Sequence, residues 1–155
     1  EIPLRLVGSE MCIRDRYMSN INEVVRLMYE AFDDNLDFSF PINGSSMQPF
    51  LYKDDIVRLR KCHMAYPGDI VFYKHGDNYI LHRVVRVNKD GSYNIVGDHQ
   101  TKCDLNVDSS MIIGVVVAYK KRNQKKYNPL KGIRYFIYHH LVRLKLVRFL
   151  NSKLF

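Results

Sequence analysis

The sequence predicts a mainly β fold: a compact antiparallel β domain with a short N-terminal helix, followed by a basic amphipathic C-terminal helix. Three observations carry this. Between residues 38 and 120, β-branched and aromatic residues recur in short runs, DIVRLR, DIVFYK, NYILHRVVRV, SYNIV and MIIGVVVAY, which have the composition and length of strands. The runs are separated by YPG, KHGD and NKDG, all turn formers. No alternation of strand and helix interrupts them, which argues against a parallel sheet. A chain of 155 residues, 46% hydrophobic and 26% charged, is large enough for one domain with a proper core and ordinary enough to be globular.

Residues 6–15, LVGSEMCIRD, resemble the in-frame translation of a sequencing adapter, so residues 1–17 are expected to be non-native and the natural chain to begin near Met18. That segment carries three basic and three acidic residues, and setting it aside leaves the net charge of +8 unchanged. Residues 18–37 follow as the N-terminal helix and its connection. Within them INEVVRLMYEAF, residues 21–32, places Val24, Val25, Met28 and Phe32 on one side at helical spacing, and Asp33, Asp34 and Asn35 end the pattern. Residues 38–120 form the β domain, in which RVNKDGSYNIV is the clearest hairpin, with Asp90 and Gly91 at its tip.

Residues 121–155 differ in kind. KKRNQKKYNP reads as a linker by composition. Beyond it, on a helical projection, Arg134, Lys145 and Arg148 fall close together, while Tyr135, Phe136, Leu146, Val147 and Leu150 occupy the other side, interrupted by Arg143. Residues 18–108 hold 10 Lys/Arg against 13 Asp/Glu, whereas residues 109–155 hold 11 Lys/Arg and no acid, so the basic character belongs to the tail. A basic amphipathic helix suits the interface of an anionic membrane, although docking on protein would use the same pattern. A membrane surface is therefore the expected partner of residues 131–155, and nucleic acid is not expected. No run of 18 apolar residues is present, so a conventional spanning helix is not predicted. No signal peptide is visible after Met18. Cys62 and Cys103 have no metal-ligand spacing and do not decide the redox compartment.

The β domain offers Ser45, Ser46, His63, His75, His82 and His99 together with several aspartates. A serine hydroxyl is a poor nucleophile until a base accepts its proton, and a histidine base works best when a carboxylate fixes its tautomer. Residue types alone would supply such a trio in many proteins. The order and spacing of five segments say more: GSSMQPFL (44–51), PGDIVFYK (67–74), LHRVV (81–85), GDHQTKCD (97–104) and IIGVVV (112–117). This series resembles the boxes of the type I signal peptidases.

The resemblance covers about residues 40–120 and implies a serine endopeptidase that cleaves signal or leader peptides after small residues, with no cofactor or metal. It implies that the serine directly before methionine, Ser46, is the nucleophile. Bacterial-type members carry lysine before the arginine of the third box, whereas the endoplasmic-reticulum and archaeal type carries histidine; HRV here gives His82 the base role. The carboxylate seven residues after Gly97, Asp104, would orient it. Gly44, Ser45, Ile42 and Met47 would form the oxyanion and substrate wall, and Asp69 and Asp98 would support turns. Two departures stand out. Gly44-Ser45-Ser46 replaces the usual Ser-Gly-Ser, and His99-Gln100 stands where an Asn pair is usual. The alternative from another class is a non-catalytic β domain binding peptides or an anionic surface. Localisation is expected at a membrane, with a cytoplasmic leader peptidase as the alternative.

Overall fold

The computed structural model describes residues 6–7, 10–12, 21–62, 64–130 and 140. The helix α1, Ile21–Asp33, buries Val24, Val25, Met28, Ala31 and Phe32, the single stripe that its periodicity predicts. It ends in a Schellman arrangement: Asn35 takes a left-handed conformation with φ of 58°, its N–H donates to Phe32 O, and the Leu36 N–H donates to Ala31 O at 2.8 Å. Asparagine tolerates that backbone without glycine because its short polar side chain is compatible with it.

Among the described residues ten strands form one sheet: β1 (Leu6–Val7), β2 (Glu10–Cys12), β3 (Asp37–Pro41), β4 (Ile56–Lys61), β5 (Ile70–His75), β6 (Asn78–Val87), β7 (Tyr93–Val96), β8 (Asp104–Val107), β9 (Ile112–Lys120) and β10 (Asn128–Pro129). The order is β1-β2-β3-β4-β9-β5-β6-β7-β8, with β10 also on β9. Pairing is antiparallel except between β2 and β3. The five predicted strands lie within a residue or so of β4, β5, β6, β7 and β9. The edge strand β8 and the strand β3 add to them, as their short sequences, DLNV and DFSFP, hold at most one β-branched residue each.

The last long strand, β9, lies between β4 and β5 and so joins the two halves of the sheet. One apolar cluster gathers α1, β3 and the segment after it around Phe38, Phe40, Met47, Leu51, Leu59 and Phe72. A second, on β5 to β8, is built on Val71, Tyr73, Val84, Tyr93 and Ile95, and a small third joins Val85, Val96 and Cys103. The helix approaches the sheet at Gly114, where a methyl group would lie 2.9 Å from Arg60 O and 3.2 Å from Phe32 Cζ. Only the missing side chain admits Phe32 at that point.

The segment that composition reads as a linker is held against the domain over residues 121–130. Lys121 Nζ donates to Phe50 O and Asp55 Oδ2 at 2.6 and 2.7 Å, the Arg122 N–H reaches Asp55 Oδ1, β10 pairs with β9, and Leu130 is buried in the first cluster. Charge made this run look solvated, but Lys121 has a buried carboxylate partner. The expected amphipathic helix of residues 131–155 lies outside the described residues, apart from His140, which is helical and exposed. Among the described residues no helix is long and apolar enough to cross a membrane.

Candidate functional site

Ser46 is carried on a turn that the core holds at both ends. Before it, Ile42 is buried, its N–H donates to Asp55 O and its carbonyl accepts from the Asp54 N–H, both at 2.9 Å. The backbone of Ile42 is thus committed to the fold, and the exposed stretch before Ser46 starts at Asn43. Gly44 has a φ of +152°, a conformation that side chains disfavour. Ser45 is exposed and Ser46 half-buried. After it, Met47, Phe50 and Leu51 turn back into the core, and the Gln48–Pro49 peptide bond is cis. Met47 therefore anchors the turn from below. Among the described residues no group accepts the Ser46 N–H, which leaves it open to a developing oxyanion.

His82 comes to this turn from β6. It stands opposite Val71 of β5, and its neighbour Arg83 stands opposite Val96 of β7, so the chain leaving β7 passes directly over the imidazole as Gly97. A methyl group on Gly97 would sit 2.7 Å from Ser46 O and 3.0 Å from His82 Nε2. The carbonyl of Ser46 and Nε2 of His82 therefore border the same small volume, and only glycine leaves it clear. The His99 N–H donates to Ser46 O at 2.8 Å and braces the serine turn, and Gln100 Oε1 would lie 3.1 Å from the same methyl group.

The other imidazole nitrogen faces a different pair. His82 Nδ1 lies 3.4 Å from the Tyr73 hydroxyl, and that hydroxyl donates to Asp104 Oδ2 at 2.5 Å. Asp104 does not bond His82 directly, a correction to the expected contact: β5 and β8 flank β6 and β7, and Tyr73, fully buried on β5, stands between. His75 Nδ1 approaches Asp104 Oδ2 at 3.9 Å from the exposed end of β5. Burial pushes the His82 pKa down to about 4, against an opposing pull from Asp104 and with a smaller push from His75. The imidazole is accordingly neutral at pH 7 and can accept a proton. Burial, with the hydrogen bond to Asp104, raises the Tyr73 phenol far above its ordinary value, so it stays protonated.

Behind the imidazole, Arg83 and Asp98 form a fully buried two-pronged pair at 2.8 and 2.7 Å, and Arg83 also donates to Gly68 O at 3.0 Å. Asp98 therefore fixes the strand carrying His82 as well as its own turn. Asp69 caps its turn through Tyr66: the Tyr66 N–H donates to its carboxylate at 2.8 Å, and its carbonyl takes the Val84 N–H. Cys103 is buried, with its thiol pushed up to about 11 by desolvation and Asp104, which makes it unreactive. His63 lies outside the described residues. Among the described residues no cluster of His, Cys, Asp and Glu could hold a metal ion.

The structure brings Ser46, His82 and Asp104 to one site and adds Tyr73, Gly97, His99 and Gln100. Tyr73 was legible only as a strand residue, since register across three strands decides what it touches. A family model described as Peptidase S24-like matches residues 8–117. No curated protein matches the chain.

Proposed function

The chain belongs to the Peptidase S24-like family and so carries a peptidase-type hydrolase domain, and from that premise we propose that it is a serine endopeptidase of the His-base signal-peptidase kind, cleaving signal or leader peptides after small residues. The observation that carries this reading is the meeting of His82 Nε2 and the Ser46 main chain at Gly97. The base beside the serine turn is an imidazole. A lysine base, as in the self-cleaving repressors, would need strong desolvation to be neutral at pH 7.

In this reaction Ser46 Oγ attacks the scissile carbonyl carbon while its proton passes to His82 Nε2. The carbonyl π electrons move to oxygen, and the oxyanion is met by the Ser46 N–H. Collapse of the tetrahedral intermediate expels the amine, which takes the proton from His82 and leaves an acyl-Ser46. Water then repeats the sequence with His82 as base and releases the acid and Ser46.

An unpaired strand edge supports this reading. β6 pairs with β5 over residues 78–83, but β7 ends opposite Arg83, so among the described strands the outer edge of residues 78–82 is unpaired and ends at His82. An extended peptide added there would run into the gap between His82 and residues 43–46. Residues 131–155, in a tail with no acidic residue, would hold the enzyme at an anionic membrane where preproteins emerge.

The test mixes the chain, or its Ser46→Ala variant, with a leader-type peptide carrying Ala at the first and third positions before the cut, with and without anionic vesicles, and follows products by mass spectrometry. Cleavage at that bond by the unmodified chain alone is expected. Vesicle binding without cleavage by either protein would turn the reading to a binding domain.

A further inference from the structure

We infer that Tyr73 is a positioning residue that joins Asp104 to His82: its hydroxyl hands the carboxylate's orientation to the imidazole and sets which nitrogen carries the proton. The inference deepens the peptidase reading and rests on it for its kinetic part only.

The count of available protons fixes the direction of each bond. A phenol has a single O–H and two lone pairs. That O–H is committed to Asp104 Oδ2 at 2.5 Å, a charge-assisted bond of the strong class. Toward His82 Nδ1, 3.4 Å away, Tyr73 Oη can then only accept. The neutral imidazole satisfies this arrangement by carrying its proton on Nδ1, which leaves the lone pair on Nε2, the nitrogen bordering Ser46 at Gly97. A separation of 3.4 Å is long for a resting hydrogen bond; it shortens when the ring becomes cationic in the reaction and its N–H polarises.

The electrostatics follow the same route. When His82 takes the Ser46 proton, the imidazolium Nδ1–H donates to Tyr73 Oη, and Tyr73 keeps its own proton while bonded to Asp104. No charge leaves the carboxylate and no proton crosses the phenol. His75 and Asp104 are the titratable groups that face this chain of bonds, and Cys103 adjoins it with its thiol protonated.

Removing either end gives different signatures. Tyr73→Phe takes away the acceptor for Nδ1–H and leaves Asp104 without its donor, while preserving the ring that fills the core. Asp104→Ala instead frees the phenol proton to turn to Nδ1, which forces the imidazole proton onto Nε2, the nitrogen that must be bare.

The experiment records two-bond proton–nitrogen spectra of the full chain labelled in its six histidines, with His82 assigned by loss of its signal in His82→Gln, and measures cleavage of the Ala-containing leader peptide in parallel. The expected results are an Nδ1–H tautomer in the unmodified chain, a mixture in Tyr73→Phe and an Nε2–H tautomer in Asp104→Ala. Both substitutions are expected to lower kcat about 10²-fold with little change in KM, and the double variant to be no slower than the slower single one. An unchanged His82 tautomer in both variants, or multiplicative losses in the double variant, would overturn the inference. Should the unmodified chain leave the peptide intact, the peptidase reading fails for that substrate class while the tautomer pattern still decides the role of Tyr73.

Discussion

Acid should unfold this domain partly through one residue. His82 is only 4% exposed and its pKa is pushed down to about 4 by burial, against about 6.5 in an unfolded chain. Between those values the unfolded state binds a proton that the folded state refuses, so stability rises with pH across that window. The contribution is fully present above about pH 6.5 and is lost as pH falls toward 4. At about 1.4 kcal/mol per pH unit, the span amounts to roughly 3 kcal/mol, a large share of the total for a domain of this size. Replacing His82 by Gln keeps a polar side chain of similar reach and removes the titration. The measurement is urea unfolding of both proteins at several pH values from 7.5 to 4. The unmodified chain should lose about 3 kcal/mol more than His82→Gln over that range, because the other titratable groups are the same in both. Parallel stability curves for the two proteins would refute the argument that desolvation governs this imidazole. The same depression places the acidic limb of kcat/KM nearer pH 4 than 6.5.

Two further outcomes rest on single contacts. Gly97→Ala puts a methyl group 2.7 Å from Ser46 O, so the serine turn must shift by several tenths of an ångström; peptide cleavage should fall about tenfold or more while the thermal midpoint falls far less, since a small misplacement at a reacting group is costly. Asp98→Ala leaves Arg83 buried without its carboxylate, and chemical denaturation should register a loss of about 3–5 kcal/mol; a loss under 1 kcal/mol would mean that water reaches the arginine.

Much of this was readable from the chain because it depends on neighbours in sequence. The stripe of α1 follows from the side-chain period along one segment, and the strands β4 to β7 and β9 follow from runs of β-branched and aromatic residues between turn formers. So do the tip at Asp90-Gly91 and the order of boxes around Ser46, His82 and Asp104. Residues 121–130 show the limit: composition suggests a solvated linker, yet Lys121 and Arg122 are placed by Asp55, distant in sequence, and Leu130 by the core.

The sequence by itself determined that an antiparallel β domain would present a serine on a glycine-led turn, with histidine and carboxylate on later strands, because those features are set by local propensity and spacing. Only the tertiary structure decided that β9 lies between β4 and β5 and that Gly97 passes over the imidazole. It also decided that Tyr73, and not open space, separates Asp104 from His82. These depend on cross-strand register, in which a shift of one residue turns each side chain to the opposite face, and register is fixed by the packing of the whole sheet.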